Sequence, residues 1–307
     1  MSTVETGGAQ AAEPSETAEA AAAAETSAAA EPLTAGASAG ADFEEPVEET
    51  DDVPAHAKSA KDEFVEIAKT IFYALLIALV LRILFFQPYT IPSASMEPNL
   101  YEGDYIIVSK WNYGYSRHSI PFSPPLFHGR TPGKGPARGD IVVFKLPSDN
   151  KSDYIKRVVG LPGDRIQMRD NHLYINDVPV KDDVMGPIEV PTFYGVPREA
   201  TEIRETFPEG KSFTTQDFGP GGDLDNTDVY VVPEGYYFMM GDNRDNSIDS
   251  RVDPRFNGGA GVGFVPAENL VGKAQIILFS WHPGASLFKP WTWFTKVRPS
   301  RFFTPLK

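Results

Sequence analysis

One long apolar stretch, running from Ile67 to Phe86, limits what this chain can fold into more than any other feature of the sequence. About twenty residues in a helix rise ~30 Å, which matches the hydrocarbon thickness of a bilayer. Its charged side chains, Lys69 and Arg82, lie towards the two ends, where they can snorkel to the interface. A buried core helix usually keeps a polar face, which this stretch lacks. No small-residue cleavage site follows it, so we expect a retained transmembrane helix over 64–86.

The segment before this helix carries nearly all of the net negative charge. Residues 1–57 contain 13 of the 42 Asp and Glu residues and no Lys or Arg, whereas the formal net charge of the chain is −14. A segment of Ala, Glu, Ser, Thr and Pro buries too little apolar surface to offset the entropy of ordering. We therefore predict a disordered acidic tail over 1–60, with a docking tail for a cytoplasmic partner as the alternative.

The rest of the chain is close to neutral, and the flanks of the apolar stretch predict its orientation. Lys58, Lys61 and Lys69 lie on its N-terminal side, and beyond the stretch no basic residue appears before Lys110. The positive-inside rule places the tail in the cytoplasm and residues 87–307 outside the cytoplasmic (inner) membrane. No basic run indicates nucleic-acid binding. The absence of cysteine excludes a disulfide framework and a thiolate zinc site.

Residues 87–307 predict a mainly β fold built on an antiparallel sheet. Pro, Gly and Asp separate short runs that are rich in β-branched and aromatic residues, and these runs predict strands: DYIIVSKW, GDIVVFKLP, DYIKRVVG, GYYFMMGD and VGKAQIILFSW. A hairpin is expected to turn at Asp170 and Asn171. Residues 111–137 are rich in Gly, Pro and aromatics and predict a projecting ribbon or loop. Residues 172–232 separate the motif-bearing segments and predict an inserted, smaller β-rich subdomain.

Lys156, in the predicted strand DYIKRVVG, has the surroundings that a general base needs. Alternation along a strand puts it on one face with Tyr154 and Val158, while Arg157 points the other way. Lowering the pKa of a lysine by ~3 units costs on the order of 4 kcal/mol, which an apolar pocket can impose. Ser95 lies within ten residues of the end of the apolar stretch, and a neutral Lys156 could take its hydroxyl proton and later protonate a leaving amine. The alternative is a strand-edge lysine that keeps the sheet soluble.

The sequence offers little support for the commoner hydrolase arrangements. None of the five histidines lies in a known catalytic motif with a serine, and neither G-x-S-x-G nor H-E-x-x-H is present. A Ser-Lys dyad is a recurring variant of the catalytic triad. Four segments, PSASMEP, RGDIVVF, YIKRVVGLPGD and GDNRDNSIDSR, occur in this order behind the apolar stretch and resemble the successive motifs of type I signal peptidases.

The resemblance implies an anchored serine endopeptidase that removes signal peptides from exported preproteins after small residues, without a metal or cofactor. It implies Ser95 as nucleophile and Lys156 as general base, with the Ser93 hydroxyl and the Ser95 N–H forming the oxyanion hole. It also implies supporting residues around the lysine, with Ser247 orienting it: Ser247, Asp249, Arg251, Asp242 and Arg244. Walls of a pocket for small side chains are implied at Tyr89, Ile91, Pro92 and Ile155, with ordinary core packing as the alternative.

Other interpretations stay open at this point. The spacing of GDNRDNSIDSR resembles a calcium loop that starts at Asp242, but its sixth residue is Ser247 rather than glycine and its twelfth is Asp253 rather than glutamate. A Ser-Lys autoprotease and an inactive, membrane-tethered binding module are alternative functions. The segment 281–307 mixes aromatic rings with Lys and Arg, and we expect it to seat the catalytic domain on the bilayer, with core packing as the alternative. Its members are Trp281, Trp291, Trp293, Phe294, Phe302, Phe303, Lys289, Lys296, Arg298 and Arg301.

Overall fold

The computed structural model describes residues 59–306, apart from 122, 126, 132, 191–196, 286–288 and 290. The tail predicted for 1–60 therefore lies almost wholly outside the described residues. The described helices are α1 (Ala60–Leu84) and α2 (Trp291–Thr295). The described strands are β1 (Phe86–Thr90), β2 (Asp104–Ser109), β3 (Ile141–Lys145), β4 (Asp153–Gly160), β5 (Arg165–Arg169), β6 (His172–Ile175), β7 (Val178–Pro179), β8 (Lys181–Val190), β9 (Arg198–Thr206), β10 (Ser212–Asp217), β11 (Tyr230–Val231), β12 (Tyr236–Met240), β13 (Val265–Pro266), β14 (Leu270–Ser280) and β15 (Thr304–Pro305).

Helix α1 corresponds to the predicted apolar span, although its bounds differ by a few residues. It begins after Ser59, whose hydroxyl accepts a hydrogen bond from the Lys61 N–H. None of its side chains is buried. Within the described residues it is the one helix that is long and apolar enough to cross a membrane. It ends at Leu84, because Phe86 already belongs to the sheet as the first residue of β1.

A single residue, Phe85, separates α1 from β1. Residues that follow β2 contact this junction. The Phe85 carbonyl accepts a hydrogen bond of 3.0 Å from the Lys110 N–H. The Tyr115 hydroxyl donates to the carbonyl of Leu84. The Trp111 ring meets the Phe85 ring edge-on, with 6.1 Å between their centroids. The end of the helix is therefore bonded to the sheet and to the segment that follows β2.

The main sheet is antiparallel and has the order β1-β2-β14-β3-β4-β12-β13, with β15 paired to β14. Two irregularities in β14, at Ala274/Ile276 and Ile277/Phe279, let this long strand curl along β2. All five predicted runs form strands of this sheet, which confirms the mainly β fold. One apolar core takes side chains from β2, β3, β4 and β14 and includes Ile91 and Met96. Strand β4 is buried from its third residue onward, because apolar clusters cover both of its faces.

Two smaller sheets lie between β4 and β12 along the chain. One has the order β11-β5-β6-β7 and the other β10-β9-β8. The predicted hairpin is confirmed: Arg169 pairs with His172, and Asp170 and Asn171 turn the chain with φ of 47° and 65°. The smaller sheets begin with β5 at Arg165, ahead of the predicted start at 172, because β5 pairs with β6 and β11 rather than with the main sheet.

The described part of 111–137, for which composition predicts a projecting ribbon or loop, packs against the domain. It contains short 3₁₀ turns and one antiparallel bridge, from Ser116 to Arg130, and Tyr113 and Ser116 are buried. Arg130 holds it down, because its guanidinium donates to the carbonyls of Gly114 and Ala267 at 3.1 Å each and to that of Leu270. The segment therefore packs against β14 and the turn that precedes it.

A group of aromatic side chains, which we call the aromatic surface, lies on the outer side of β2 and β14. Tyr105 and Phe279 are paired across these strands and are 41% and 37% exposed. Trp281 lies 5.5 Å from the Tyr105 ring, and Phe302 and Phe303 lie 5.6 Å and 6.3 Å from the Phe279 ring. The C-terminal aromatics thus pack on one another and still leave apolar area in solvent.

Candidate active site

Ser95 and Lys156 meet where the turn that holds Ser95, which we call the nucleophile turn, approaches strand β4. Ser95 lies in a 3₁₀ turn, Ala94–Met96, that follows β1, and Lys156 lies on β4. The Lys156 Nζ donates to the Ser95 Oγ at 2.7 Å and to the carbonyl of Ile155 at 3.0 Å. Both side chains belong to buried residues, Ser95 being 7% and Lys156 4% exposed. An amine and a hydroxyl therefore share a dry site at proton-transfer distance.

The pKa of Lys156 suits a base that works near neutral pH. Burial lowers it from 10.5 to about 8, and this effect outweighs the carboxylates of Asp249 and Asp242, which favour the charged amine. At pH 7 about one amine in ten is then neutral, against about one in a few thousand for a free lysine. Part of the amine is therefore already neutral at pH 7, and no external base has to deprotonate it before it can accept a proton.

The nucleophile turn is held by the segment after β12. The Asn243 N–H donates to the Ser95 carbonyl, and the Asn243 side chain donates to the Ala94 carbonyl, both at 3.2 Å. Gly241 packs so closely that a Cβ there would lie 2.5 Å from the Ser95 carbonyl oxygen and closer still to the Ser247 hydroxyl. Sequence reasoning assigned no role to Asn243 or Gly241, although both belong to the GDNRDNSIDSR motif.

Asp249 and Arg251 form a buried pair behind this turn. The Arg251 Nε and Nη2 donate to the two carboxylate oxygens of Asp249 at 2.9 Å and 2.8 Å. The Gly241 N–H donates to the same carboxylate at 3.0 Å. Burial alone would raise the pKa of Asp249, but the charge and hydrogen bonds of Arg251 bring it below its ordinary value. The pair thus keeps a carboxylate ionised behind the Gly241 backbone.

Asp242 accepts hydrogen bonds from Arg157, for which the sequence predicted only that it points away from Lys156. The Arg157 Nε and Nη2 donate to its two oxygens at 2.7 Å and 2.8 Å, and the guanidinium also donates to the Gly139 carbonyl at 2.8 Å. The Asn99 amide adds a hydrogen bond of 2.8 Å to the same carboxylate. Asp242 therefore connects the strand of the lysine to the loop of the serine.

Arg244 reaches into the inserted sheets. It forms a two-fold contact with Glu205 on β9, with N–O distances of 2.5 Å and 2.6 Å, and both side chains are 5% exposed. Its own N–H donates to the Gln216 carbonyl at 2.9 Å. Nothing in the sequence pointed to Glu205, because it lies in a segment without a recognisable motif.

Among the described residues, neither Ser93 nor Ser247 forms a hydrogen bond with the Lys156 amine. Ser93 is exposed, and its Oγ lies 3.4 Å from that of Ser95. Ser247 is buried, but the hydrogen bonds found for the Lys156 amine go to Ser95 and Ile155. No hydrogen bond from the Ser247 hydroxyl to the Lys156 amine is found in the described part of the chain; the hydroxyl lies beside Gly241, and its proximity to Asp249 helps to lower the pKa of that carboxyl.

The four expected pocket walls differ in exposure. Ile91 and Ile155 are 2% and 9% exposed and belong to one apolar core cluster, which also takes side chains from β2, β3 and β14. Tyr89 is half-buried, and its hydroxyl accepts a hydrogen bond of 2.7 Å from the Gln87 amide. Pro92 is exposed. Within the described residues, no group of three or more His, Asp or Glu side chains is arranged to hold a metal ion.

The sequence is similar to those of signal peptidases. The model of the family described as signal peptidase, peptidase S26, matches residues 64–281. The signal peptidase I of Rickettsia typhi is 40% identical over 269 residues, covering 81% of this chain and 95% of that protein. The signal peptidase I of Rickettsia prowazekii is 41% identical with the same coverage. A crystal structure of a signal peptidase I from Enterococcus faecalis V583 is 29% identical, covering 46% of this chain and 97% of that chain, with a TM-score of 0.25.

Proposed function

Because the chain belongs to the signal peptidase family, peptidase S26, we propose that it is a membrane-anchored signal peptidase I with a Ser95–Lys156 dyad. Its substrates are exported preproteins, which it cuts after small residues to release their N-terminal signal peptides. One observation carries the dyad: the buried Lys156 amine lies 2.7 Å from the Ser95 hydroxyl. Membership of the family makes the chain a serine endopeptidase, and this contact supports which serine and which base it uses.

In the proposed reaction, neutral Lys156 takes the proton of the Ser95 hydroxyl as the oxygen attacks the scissile carbonyl. The Ser95 N–H and the Ser93 hydroxyl donate to the oxyanion that forms. Protonated Lys156 then gives its proton to the leaving amine, and a water molecule hydrolyses the acyl-enzyme with Lys156 again as base. The buried pairs of Asp249 and Asp242 support the backbone on both sides of the dyad.

The proposed pocket for small residues lies between Ile91, Ile155 and Tyr89. The proposal is supported by the places of these residues in the chain: Ile91 precedes the nucleophile turn by a few residues, Ile155 precedes the base by one, and both belong to one apolar cluster. Their place in the core leaves them little freedom to move aside. A small side chain such as alanine fits beside such walls, whereas a large one displaces the core.

We propose that α1 spans the cytoplasmic membrane with the N-terminal tail inside and the catalytic domain outside. The exposed apolar length of α1 and the lysines on its N-terminal side support this orientation. The aromatic surface then lies at the interface and seats the domain on lipid, together with Trp291 and Phe294, which are 63% and 82% exposed. Confinement of enzyme and membrane-held substrate to one surface raises their effective concentration.

The catalytic assignment is tested by incubating the reconstituted full chain with a preprotein that has alanine before the cleavage site. Ser95→Ala and Lys156→Ala should each lower kcat by at least about 10⁴-fold. The matched controls are the exposed residues Ser212 and Lys181, whose alanine variants should cut like the wild type. Equal cleavage by the dyad variants would point to another site, and cleavage of the chain itself would favour the autoprotease.

The membrane contact is tested on the same reconstituted protein by fluorescence quenching with brominated lipids. The four tryptophans of the chain are Trp111, Trp281, Trp291 and Trp293, and none lies in α1. Quenching of their emission is expected, and Phe294→Ser should reduce it. Emission that brominated lipid leaves unchanged would refute a seated aromatic surface.

A further inference from the structure

Ser95 lies inside a loop whose two ends are bonded to each other, and we call residues 91–104 the nucleophile loop. The Ile91 N–H donates to the Asp104 carbonyl at 2.8 Å, and the Gly103 N–H donates back to the Ile91 carbonyl at 2.9 Å. Within the loop, the Leu100 N–H donates to the Met96 carbonyl at 2.8 Å. The position of the Ser95 hydroxyl therefore depends on how the base of this loop is fixed.

A fully buried carboxylate, Asp104, lies at that base. Its oxygens accept hydrogen bonds from the Tyr101 N–H at 2.9 Å and from the Ser280 hydroxyl at 2.5 Å. The remaining partners come from the last described segment of the chain, 297–306, which we call the C-terminal arm. Arg301 donates to both oxygens, at 3.1 Å and 2.5 Å, and Arg298 lies 3.5 Å from one of them. A buried carboxylate without these guanidinium groups would be strongly unfavourable.

Arg301 also reaches the nucleophile loop directly. Its Nη2 donates to the Asn99 carbonyl at 2.8 Å, and its guanidinium lies 4.5 Å from the centre of the Tyr101 ring. The Asn99 side chain in turn donates to Asp242 at 2.8 Å, and Asp242 is held by Arg157, the neighbour of the general base. A continuous set of hydrogen bonds therefore runs from the arm, through the loop, to the strand of the lysine.

We propose that Arg301, through Asp104 and Asn99, is a positioning residue for the cleavage reaction. It holds the nucleophile loop so that the Ser95 hydroxyl stays within reach of the Lys156 amine. The arm lies beyond residues 64–281, which the family model matches. The inference rests on the proposed dyad, but it concerns a residue that touches neither reacting atom.

The test measures kcat and KM separately for Arg301→Ala and Arg301→Lys with the same preprotein. A misplacement approaching 1 Å costs on the order of 10²-fold in rate. We therefore expect kcat to fall about 10- to 100-fold in Arg301→Ala while KM changes little, because the arm is not a pocket wall. Arg301→Lys should lie between, since one ammonium cannot serve Asp104 and Asn99 together. Millimolar guanidinium should restore part of the kcat of Arg301→Ala.

The matched control is Arg117→Ala. Arg117 is also a partly buried arginine, 27% exposed against 19% for Arg301, and it pairs with Glu268 at 3.0 Å, away from the nucleophile loop. It should lose stability without losing kcat, and guanidinium should not change its rate. Should Arg301→Ala fail to fold, Arg301→Lys and Arg301→Gln are judged by the same readouts.

Two results overturn the proposal. One is an unchanged kcat in the Arg301 variants, and the other is a fall in kcat that Arg117→Ala shows to the same extent and that does not respond to guanidinium. If the wild type cuts and Ser95→Ala does not, such a result removes only the role of Arg301. An inactive wild type overturns the proposed function and this inference together.

Discussion

Replacing Gly241 with alanine inserts one methyl group between the two halves of the site. The new Cβ would lie 2.5 Å from the Ser95 carbonyl oxygen, whereas real Cβ contacts essentially never fall under 3.0 Å. Gly241 and the Ser95 backbone must therefore move apart by at least about 0.5 Å, and the Ser247 side chain, which lies closer still to the new methyl group, must shift as well. The Ser95 carbonyl cannot yield freely, because the Asn243 N–H holds it at 3.2 Å. The displacement moves the Ser95 hydroxyl relative to Lys156.

The expected loss follows from these distances. A shift approaching 1 Å in a reacting group costs on the order of 10²-fold in rate, so kcat should fall about 10- to 100-fold. Overpacking a buried site costs about 1–3 kcal/mol in the free energy of unfolding. Single-turnover cleavage of a preprotein gives the chemical step, and urea unfolding of the same preparation gives the stability. The two measurements together separate misplacement from partial unfolding.

Gly272→Ala is the matched control for Gly241→Ala. Its Cβ would also meet a backbone carbonyl oxygen, that of Ser109, but in the β2–β14 part of the sheet. It should lose stability by a similar amount while keeping its kcat per folded molecule. If it does not fold, Gly135→Ala serves, since its Cβ would meet the Tyr237 hydroxyl at 2.7 Å. Equal single-turnover rates in Gly241→Ala and the wild type would refute the reasoning.

Three further changes test other parts of the site. Burial lowers the pKa of Lys156 from 10.5 to about 8, so keeping this amine in the fold costs about 3 kcal/mol below pH 8, and the cost fades as pH rises towards 10.5. Lys156→Met should be inactive yet more stable to urea at pH 7, with a smaller gain at pH 10, and no gain at pH 7 would contradict the burial argument. Ser93→Ala should lower kcat ~10²–10³-fold with little change in KM, and a change in KM alone would exclude an oxyanion role. Glu205→Ala removes the partner of the buried Arg244 guanidinium and should cost about 3–5 kcal/mol in urea unfolding, whereas loss of the exposed pair Lys181–Asp183 should cost nothing measurable.

The strands of the main sheet could be predicted because their signal is local. Each run of β-branched and aromatic residues is bounded by Gly, Pro or Asp, and this pattern fixes a strand wherever it packs. Ser95 and Lys156 could be selected because their motifs resemble a known family. Their approach to 2.7 Å could not be predicted from spacing, since the two residues are far apart in sequence and meet through the sheet.

The partners of the supporting residues could not be predicted, because they are chosen by tertiary packing. Glu205 is one of many acidic residues, and only the fold of the inserted sheets brings it to Arg244. The segment 111–137 shows the same limit. Its Gly and Pro content allows either a projecting loop or a packed one, and the carbonyls that Arg130 finds decide between them. Asn243 went unassigned because its role is to bond backbone carbonyls, which leave no trace in sequence.

The direct passage from α1 into β1, without a linker, has a mechanical consequence. If α1 spans the bilayer as we propose, the catalytic domain is held at a fixed height above the lipid, and the sheet sets that height. A preprotein must then present its scissile bond at that height, so the distance between its own membrane-embedded segment and its cut site becomes a second criterion of selection. A few glycines inserted after Phe85 would make the height of the catalytic domain variable. They should broaden the range of signal-peptide lengths that the enzyme accepts.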